Sequence, residues 1–304
     1  MRRSTCRLTR RTLLKHAASA GAALLAAPAL RAAATPDGWQ IGCFTRPWAA
    51  HDVKVALDAI AEAGFKHVGL MTTNSANKLV ISTATNLDEA QAIGEECKKR
   101  GLFVPSAYGG DIPSAESVEA VVAGMHTLID NCVAAGVANL MMGGVATPEL
   151  AIPYYKSIAE ACPYAAERLI GISVKPHGGT NSTGPQCRAL INSVRHPNFR
   201  LWYDPGNIFY YSDGNRNPVD DAGDVDGLVV GMSVKDYRDP KIVDLTPGTG
   251  QVDFARVLSR LIRGGFTSGA LLVECLSPGA LPELLDQAKK ARSFVEALVA
   301  SVPQ

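Results

Sequence analysis

The chain has 304 residues, 47% of them hydrophobic, with 28 glycines and 18 prolines, enough for one large α/β core or two modest ones and unlike a collagenous or disordered composition. The formal charge of +1 conceals an uneven distribution: residues 1–34 carry seven basic groups (Arg2, Arg3, Arg7, Arg10, Arg11, Lys15, Arg31) and no acid. The remainder holds 23 basic against 29 acidic groups, a balance near −6 that argues against nucleic acid as a partner.

The first 34 residues read as an export signal. Thr9-Arg10-Arg11-Thr12-Leu13-Leu14-Lys15 resembles a twin-arginine motif, an alanine- and leucine-rich segment runs from Ala17 to Leu30, and Ala32-Ala33-Ala34 offers a cleavage site. The apolar segment is too short and too rich in alanine for a convincing membrane span. The expectation is a signal peptide over 1–34, a folded domain over 35–304, delivery to the periplasm or another extracytoplasmic space, and no stable membrane insertion after cleavage. An uncleaved anchor or a chance Arg-Arg pair is the alternative. Beyond the signal stand Cys43, Cys97, Cys132, Cys162, Cys187 and Cys275, without CxxC or zinc-type spacing. Several lie in apolar periodic segments, which predicts buried thiols rather than a disulfide framework.

Strand and helix patterns then alternate. Trp39–Phe44 reads as a strand. Val53–Ala63 has apolar residues at Val53, Ala56, Leu57, Ile60 and Ala61, a helical spacing that Gly64 stops. His67–Met71 is a second strand, and Asn86 caps a helix that runs to Arg100. Leu102–Ala107 is the third strand, followed by a long helix for which Ser114 and Ser117 offer caps and which Gly136 ends. Asn139–Met142 is strand four and Pro148–Arg168 its helix.

Leu169–Val174 is strand five, a buried apolar run closed abruptly by Lys175-Pro176-His177-Gly178-Gly179. A helix over Gly184–Val194 precedes strand six, Phe199–Tyr203, which ends in Asp204-Pro205-Gly206-Asn207. Asp220–Leu228 is poorly periodic and suits one or two turns at most. Strand seven, Val230–Val234, ends in Lys235-Asp236; a helix follows over Val252–Arg263. Strand eight, Ala270–Val273, ends in Glu274-Cys275, and Leu281–Val299 is the final helix. Eight strand–helix units without a linker predict a single-domain (β/α)8 TIM barrel. No GxGxxG follows Ile41-Gly42-Cys43-Phe44, so no nucleotide cofactor is expected.

Such a barrel places its site where the strands end. The polar residues there are Thr45, Arg46, Tyr108, Lys175, His177, Asp204, Asn207, Lys235, Asp236 and Glu274. Carboxylates and amides suit the hydroxyls of a sugar or polyol, and a lysine suits a developing enolate oxygen. Lys175 and His177, two residues apart, point the same way. Trp39 and Trp48 could stack on a sugar, though Trp39 equally suits packing under the barrel. His51 could reach the site. Tyr210, Tyr211 and Asp213 form either a lid or a plain surface loop, and Lys235-Asp236 either a structural ion pair or a substrate contact. His67 reads as structural at the opposite face, His126 and His196 as solvated, and Asp253 as a helix cap.

Four stretches give a more specific resemblance: Ala61-Glu62-Ala63-Gly64-Phe65-Lys66-His67-Val68-Gly69-Leu70, Trp202-Tyr203-Asp204-Pro205-Gly206-Asn207, Val234-Lys235-Asp236, and Gly248-Thr249-Gly250-Gln251-Val252-Asp253-Phe254 followed by Leu272-Val273-Glu274. Over about residues 39–300 the chain resembles the xylose isomerase-like barrels that include sugar epimerases, inosose dehydratases and endonuclease IV-like proteins. The resemblance implies one divalent metal held by a Glu after strand five, an Asp after six, a His after seven and a Glu after eight. Asp204 and Glu274 match; Lys175 and Ser233 stand at the other two positions, and a further family His after strand six is Asn207.

Three readings follow. The first is proton transfer or elimination on a sugar without the usual metal, with Lys175 and Glu274 handling protons and Tyr108, Asn207 and Lys235 binding substrate. The second is a weaker site for Mn, Zn or Mg built from His177, Asp204 and Glu274 with water. In the third, Lys175 replaces the metal's charge and the barrel binds carbohydrate without turning it over.

Overall fold

The computed structural model describes residues 38–110, 112 and 117–302. The expected signal at 1–34 and the cap at Ser114 lie outside the described residues. Eight parallel strands close in chain order: β1 (Trp39–Phe44), β2 (His67–Leu70), β3 (Phe103–Tyr108), β4 (Asn139–Met142), β5 (Gly171–Val174), β6 (Phe199–Tyr203), β7 (Val229–Val234) and β8 (Gly269–Val273). Closure is direct, with Ile41 opposite Leu271 and Gly42 opposite Leu272. This is a single-domain (β/α)8 TIM barrel.

The intervening helices are α1 (Val53–Glu62), α2 (Leu87–Lys99), α3 (Val118–Ala135), α4 (Pro148–Glu167), α5 (Gly184–Val194), α6 (Pro205–Tyr211), α7 (Pro218–Asp221), α8 (Phe254–Arg263) and α9 (Leu281–Ser301). Their boundaries follow local chemistry. Asn86 and Glu89 form a reciprocal capping box on α2, which satisfies two of the amides a helix start leaves orphaned. Ser117 caps α3, and Gly136 ends it in the left-handed region at φ 70°, where a residue without Cβ carries no steric penalty. By length and composition α3 would suit a membrane crossing; in the barrel it buries Val121, Met125, Leu128, Ile129 and Cys132.

One departure from the sequence reading, the helix α6, and one short helical stretch in keeping with it follow β6. Residues 205–211 form the short helix α6, and 218–225 form α7 running into a 3₁₀ turn. Both start with proline at the first helical position after an Asp or Asn cap, a start signal too short to show in apolar periodicity.

The larger core lies between sheet and helices. A smaller one fills the barrel interior: Phe44, Met71, Met141, Trp202, Ala270 and Leu272. Alternation along each strand explains its membership, since residues two apart share a face. The Phe44 and Trp202 rings meet edge to face at 6.1 Å. They fit because neighbouring strands carry glycine: a Cβ on Gly69 would lie 2.1 Å from the Phe44 ring, and one on Gly231 would lie 2.3 Å from Trp202. Below them Asn139 donates to Ser173 at 2.8 Å, and His67 Nδ1 lies 3.2 Å from the Ile41 carbonyl. His67 is thus structural, as its position at the start of β2 implies.

The six cysteines beyond the signal are all free and buried. Trp39 packs beneath the barrel against Phe266.

Candidate functional site

The period-two rule that fills the barrel also builds its mouth. Ser173 faces inward on β5, so Lys175 and His177 continue on the same side. Trp202 faces inward on β6, so Asp204 follows; Gly231 and Ser233 lead to Lys235, and Leu272 leads to Glu274. Lys175, Asp204, Asn207, Lys235 and Glu274 are all buried, none more than 6% exposed.

These side chains form one closed cluster. Lys175 Nζ lies 2.7 Å from Glu274 Oε2 and 2.9 Å from Asp204 Oδ2. Lys235 Nζ lies 3.0 Å from Glu274 Oε1 and 4.0 Å from Asp204 Oδ2. Two buried ammonium groups therefore face two buried carboxylates, the pairing that burial of charge demands. Asn207 joins the cluster from α6: its Oδ1 accepts from Lys235 at 2.9 Å and its Nδ2 donates to the Pro176 carbonyl at 2.6 Å. Asp204 Oδ1 meanwhile accepts the Asn207 amide and caps α6. From below, Trp202 Nε1 donates to Ser233 Oγ at 3.1 Å, and Ser233 donates to Glu274 Oε2 at 2.7 Å. Each oxygen of Glu274 thus accepts at least one hydrogen bond from the protein.

Above the cluster opens a cavity of about 240 Å³. Arg46, Lys175, Lys235 and Glu274 supply its charge; His177, Asn207, Tyr108, Tyr210 and Tyr211 supply polar and aromatic surface; Met71, Thr72 and Val243 complete it. This is smaller than the usual range for drug-sized ligands, so it suits a small molecule. The His177 ring lies between Tyr108 and Tyr211, with centroids 6.1 and 5.8 Å away. Asn181 fixes the rim, donating to the carbonyls of Gly143 and Lys175 at 2.7 Å each.

The electrostatics follow from burial opposed by pairing. Burial pushes the Glu274 carboxyl up, but Lys175, Lys235 and Arg46 outweigh it and hold the group well below the usual carboxylate range. For Asp204 burial prevails over the two lysines, and its carboxyl sits above the usual value. Burial lowers Lys235, yet Glu274 and Asp204 carry it above an ordinary lysine. His177 is pushed down to about 4, first by burial and then by Lys175 and Lys235, so its imidazole is neutral at pH 7.

Not every rim residue reaches the cavity. Thr45 stitches β1 to the end of β2, donating to the Thr72 carbonyl and accepting from Met71 N. Asp236 makes no ion pair with Lys235. Its carboxylate instead accepts the amides of Tyr237, Gly248, Gly250 and Val252 and organises the loop after β7. Trp48 is buried away from the cavity lining, His51 is not part of that lining either, and Asp213 pairs with Lys241. His126 is not merely solvated; it stacks on Tyr164 at 3.9 Å. Asp253 caps α8 as expected.

The sequence profile of the xylose isomerase-like TIM barrel family matches residues 57–298. The chain belongs to that family. Among solved structures, a xylose isomerase domain protein from Planctomyces limnophilus is similar at 18% identity and TM-score 0.66, over 86% of this chain and 97% of the other. A D-psicose 3-epimerase from Clostridium cellulolyticum H10, solved with D-tagatose, is 11% identical at TM-score 0.67, over 86% and 99%. A probable 3-DHS dehydratase involved in petrobactin synthesis from Bacillus anthracis is 14% identical at TM-score 0.64, over 85% and 98%. At these identities the likeness is one of fold. No curated protein sequence matches the chain.

Set against the metal site that the family resemblance implies, the donor set here does not fit a divalent cation. Lys175 replaces the strand-five carboxylate and inserts its own cation between Asp204 and Glu274. The expected ligand trio His177, Asp204 and Glu274 is not brought together: among the described residues no group of three or more His, Cys, Asp or Glu is placed to hold a metal. The physical reason is charge. Two ammonium groups already compensate the two carboxylates, and with Arg46 beside them a dication would meet a site of net positive charge. Arg46, two residues after β1, and Tyr211, the last residue of α6, join the cavity from among the rim and loop candidates, whereas Asn181 was not singled out and carries no local signal.

Proposed function

We propose that this barrel is a metal-independent enzyme that moves a proton next to a carbonyl of a small polyhydroxylated substrate, a sugar or polyol derivative, in isomerisation, epimerisation or elimination. The observation that carries this reading is the convergence of the Lys175 and Lys235 ammonium groups on Glu274 beneath the cavity. Each ammonium has three donors, and the protein contacts leave each with one to offer. Two fixed donors in a buried site stabilise an oxyanion as it forms, without reorganisation cost. When a C–H bond beside the carbonyl breaks, its electron pair passes to the carbonyl oxygen, and Lys175 and Lys235 hold the resulting enolate.

The neutral His177 imidazole in the cavity wall is the proton acceptor at neutral pH. Lys175 and Glu274 touch, but as an ion pair with the carboxylate held low. Glu274 therefore positions the lysines rather than exchanging protons with them. Tyr108 and Asn207 keep their substrate-binding roles at the wall. The same closure of charges favours a second reading, a carbohydrate-binding barrel without turnover, because every acid in the cluster already has a partner.

Export by the twin-arginine route belongs to this proposal and rests on Arg10-Arg11 and the alanine-rich segment after them. Incubating the processed protein with keto- and aldo-sugars and their acids in deuterated water, with chelator present, tests the enzymatic reading. Deuterium incorporation at carbon, lost in Lys175→Met, is the expected result. Binding without incorporation for every compound would establish the binder instead, and activity that needs an added divalent ion would overturn the metal-independent site.

A further inference from the structure

The proposed reaction leaves open which polyhydroxylated compound enters, and the balance of charge in the cavity wall narrows it. A neutral sugar asks its site for donors and acceptors alike, since each hydroxyl donates as well as accepts. Here the charge of the wall is uneven: Arg46, Lys175 and Lys235 stand against the single carboxylate of Glu274, while His177, Thr72 and the tyrosine hydroxyls serve neutral and charged ligands alike. Both oxygens of Glu274 are taken by Lys175, Lys235 and Ser233, and Asn207 Oδ1 is taken by Lys235. Asp204, the other acid of the cluster, lies beneath the cavity and does not line it. Donors remain: one N–H on each lysine, and the guanidinium of Arg46. Arg46 uses only Nη1, toward Asp244 at 3.0 Å and toward Cys275 Sγ. Its Nε and Nη2 make no hydrogen bond to protein among the described residues. That edge is the pair of parallel N–H groups that fits a carboxylate in bidentate fashion. Three cations and one ion-paired anion thus line a cavity too small for a large ligand.

Building on the proposed function, we infer that the substrate carries a carboxylate: it is a sugar acid, an aldonic, ketoaldonic or uronic acid, anchored by Arg46 with its reacting carbonyl over Lys175 and Lys235. Asp244 does not compete for this edge, because it sits at the solvent-exposed rim, 63% exposed, and holds the opposite nitrogen.

The test is titration calorimetry of the intact protein at constant ionic strength with 2-keto-D-gluconate, D-gluconate and D-glucuronate. D-fructose, D-glucose, D-glucose 6-phosphate and inorganic phosphate serve as comparisons. At least one sugar acid should bind ten-fold or more tightly than its neutral counterpart and than phosphate, with affinity falling as salt rises. Arg46→Gln should weaken that binding by about ten-fold or more, the loss of a charge-assisted bond. Arg46 is partly exposed, so the variant should fold; the salt dependence of the wild-type protein reads the same charge if it does not. Neutral sugars binding as well as the acids, phosphates binding better, or unchanged affinity in Arg46→Gln would overturn the inference. The two readings fail separately. Acids that bind without deuterium exchange would sink the enzymatic proposal alone, and exchange on a neutral sugar without acid binding would sink this one alone.

Discussion

Replacing Lys175 with methionine removes one of two cations from a cluster whose members are almost wholly buried. In the native barrel Lys175 sits 2.9 Å from Asp204 and 2.7 Å from Glu274, and these three side chains are 2%, 0% and 3% exposed. Lys175→Met leaves two carboxylates sharing Lys235, whose nitrogen is 3.0 Å from Glu274 but 4.0 Å from Asp204. Breaking a buried ion pair by deleting one partner costs about 3–5 kcal/mol, because the other charge stays buried and uncompensated. The cost should depend on pH with a definite sign. In the wild-type protein the depressed Glu274 pKa contributes stability above its unfolded value, lost as pH falls through the folded one. In the variant one carboxyl of the pair is raised above its unfolded value, so it contributes stability that is present at low pH and lost as pH rises. The deficit measured by urea unfolding should therefore be largest near pH 7.5 and should shrink toward pH 5 by up to about 1.4 kcal/mol per unit. Adding Glu274→Gln to Lys175→Met removes the stranded charge and should recover part of the loss, although it deletes further contacts. A deficit below about 1 kcal/mol at pH 7.5, or one that does not change with pH, would refute the buried-pair account.

Four further outcomes follow, three from the same geometry and the last from the N-terminal sequence. His177, pushed down to about 4 from 6.5, contributes stability that is present above pH 6.5 and lost as pH falls through 4, about 3 kcal/mol in all; His177→Gln should flatten that part of the wild-type profile. Asp236→Ala removes the acceptor for four backbone amides and should cost on the order of 3 kcal/mol, with faster hydrogen exchange at 248–252. Lys175→Glu combined with Ser233→His rebuilds the carboxylate and imidazole that the family resemblance implies at these positions, and should bind Mn²⁺ in calorimetry where the wild-type protein does not. Arg10→Lys with Arg11→Lys should leave the protein in the cytoplasmic fraction as the longer, unprocessed form on a gel.

Much of this was legible in the chain because the rules involved are local. Apolar runs ending in Lys175, Asp204, Lys235 and Glu274 mark strand ends, and alternation fixes which side chains turn inward. The capping Asn86 and the terminating Gly136 announce their helices. The short α6 was missed because seven residues carry too little periodicity, and the role of Asp236 because its partners lie in a glycine-rich loop without pattern. The same adjacency made an ion pair one of the two readings of Lys235-Asp236, although neighbouring strand residues point to opposite faces. His177 looked like a metal ligand because imidazole and carboxylate are the usual donors; only the third dimension shows it above the cluster, between two tyrosines.

The sequence by itself determined the barrel, the family and most of the polar residues at its mouth, since each rests on short-range periodicity or on motifs within one strand–loop unit. It also placed a lysine where the family resemblance calls for a carboxylate. What that lysine touches was decided by closure. Lys175 and Glu274 are 99 residues apart in the chain, and only the closed ring of eight strands brings them within 2.7 Å, with Lys235 on the far side of the same carboxylate. The resulting cluster of two ammonium groups and two carboxylates is a property of the ring, because burial forces its charges to balance in space and no local pattern records that balance.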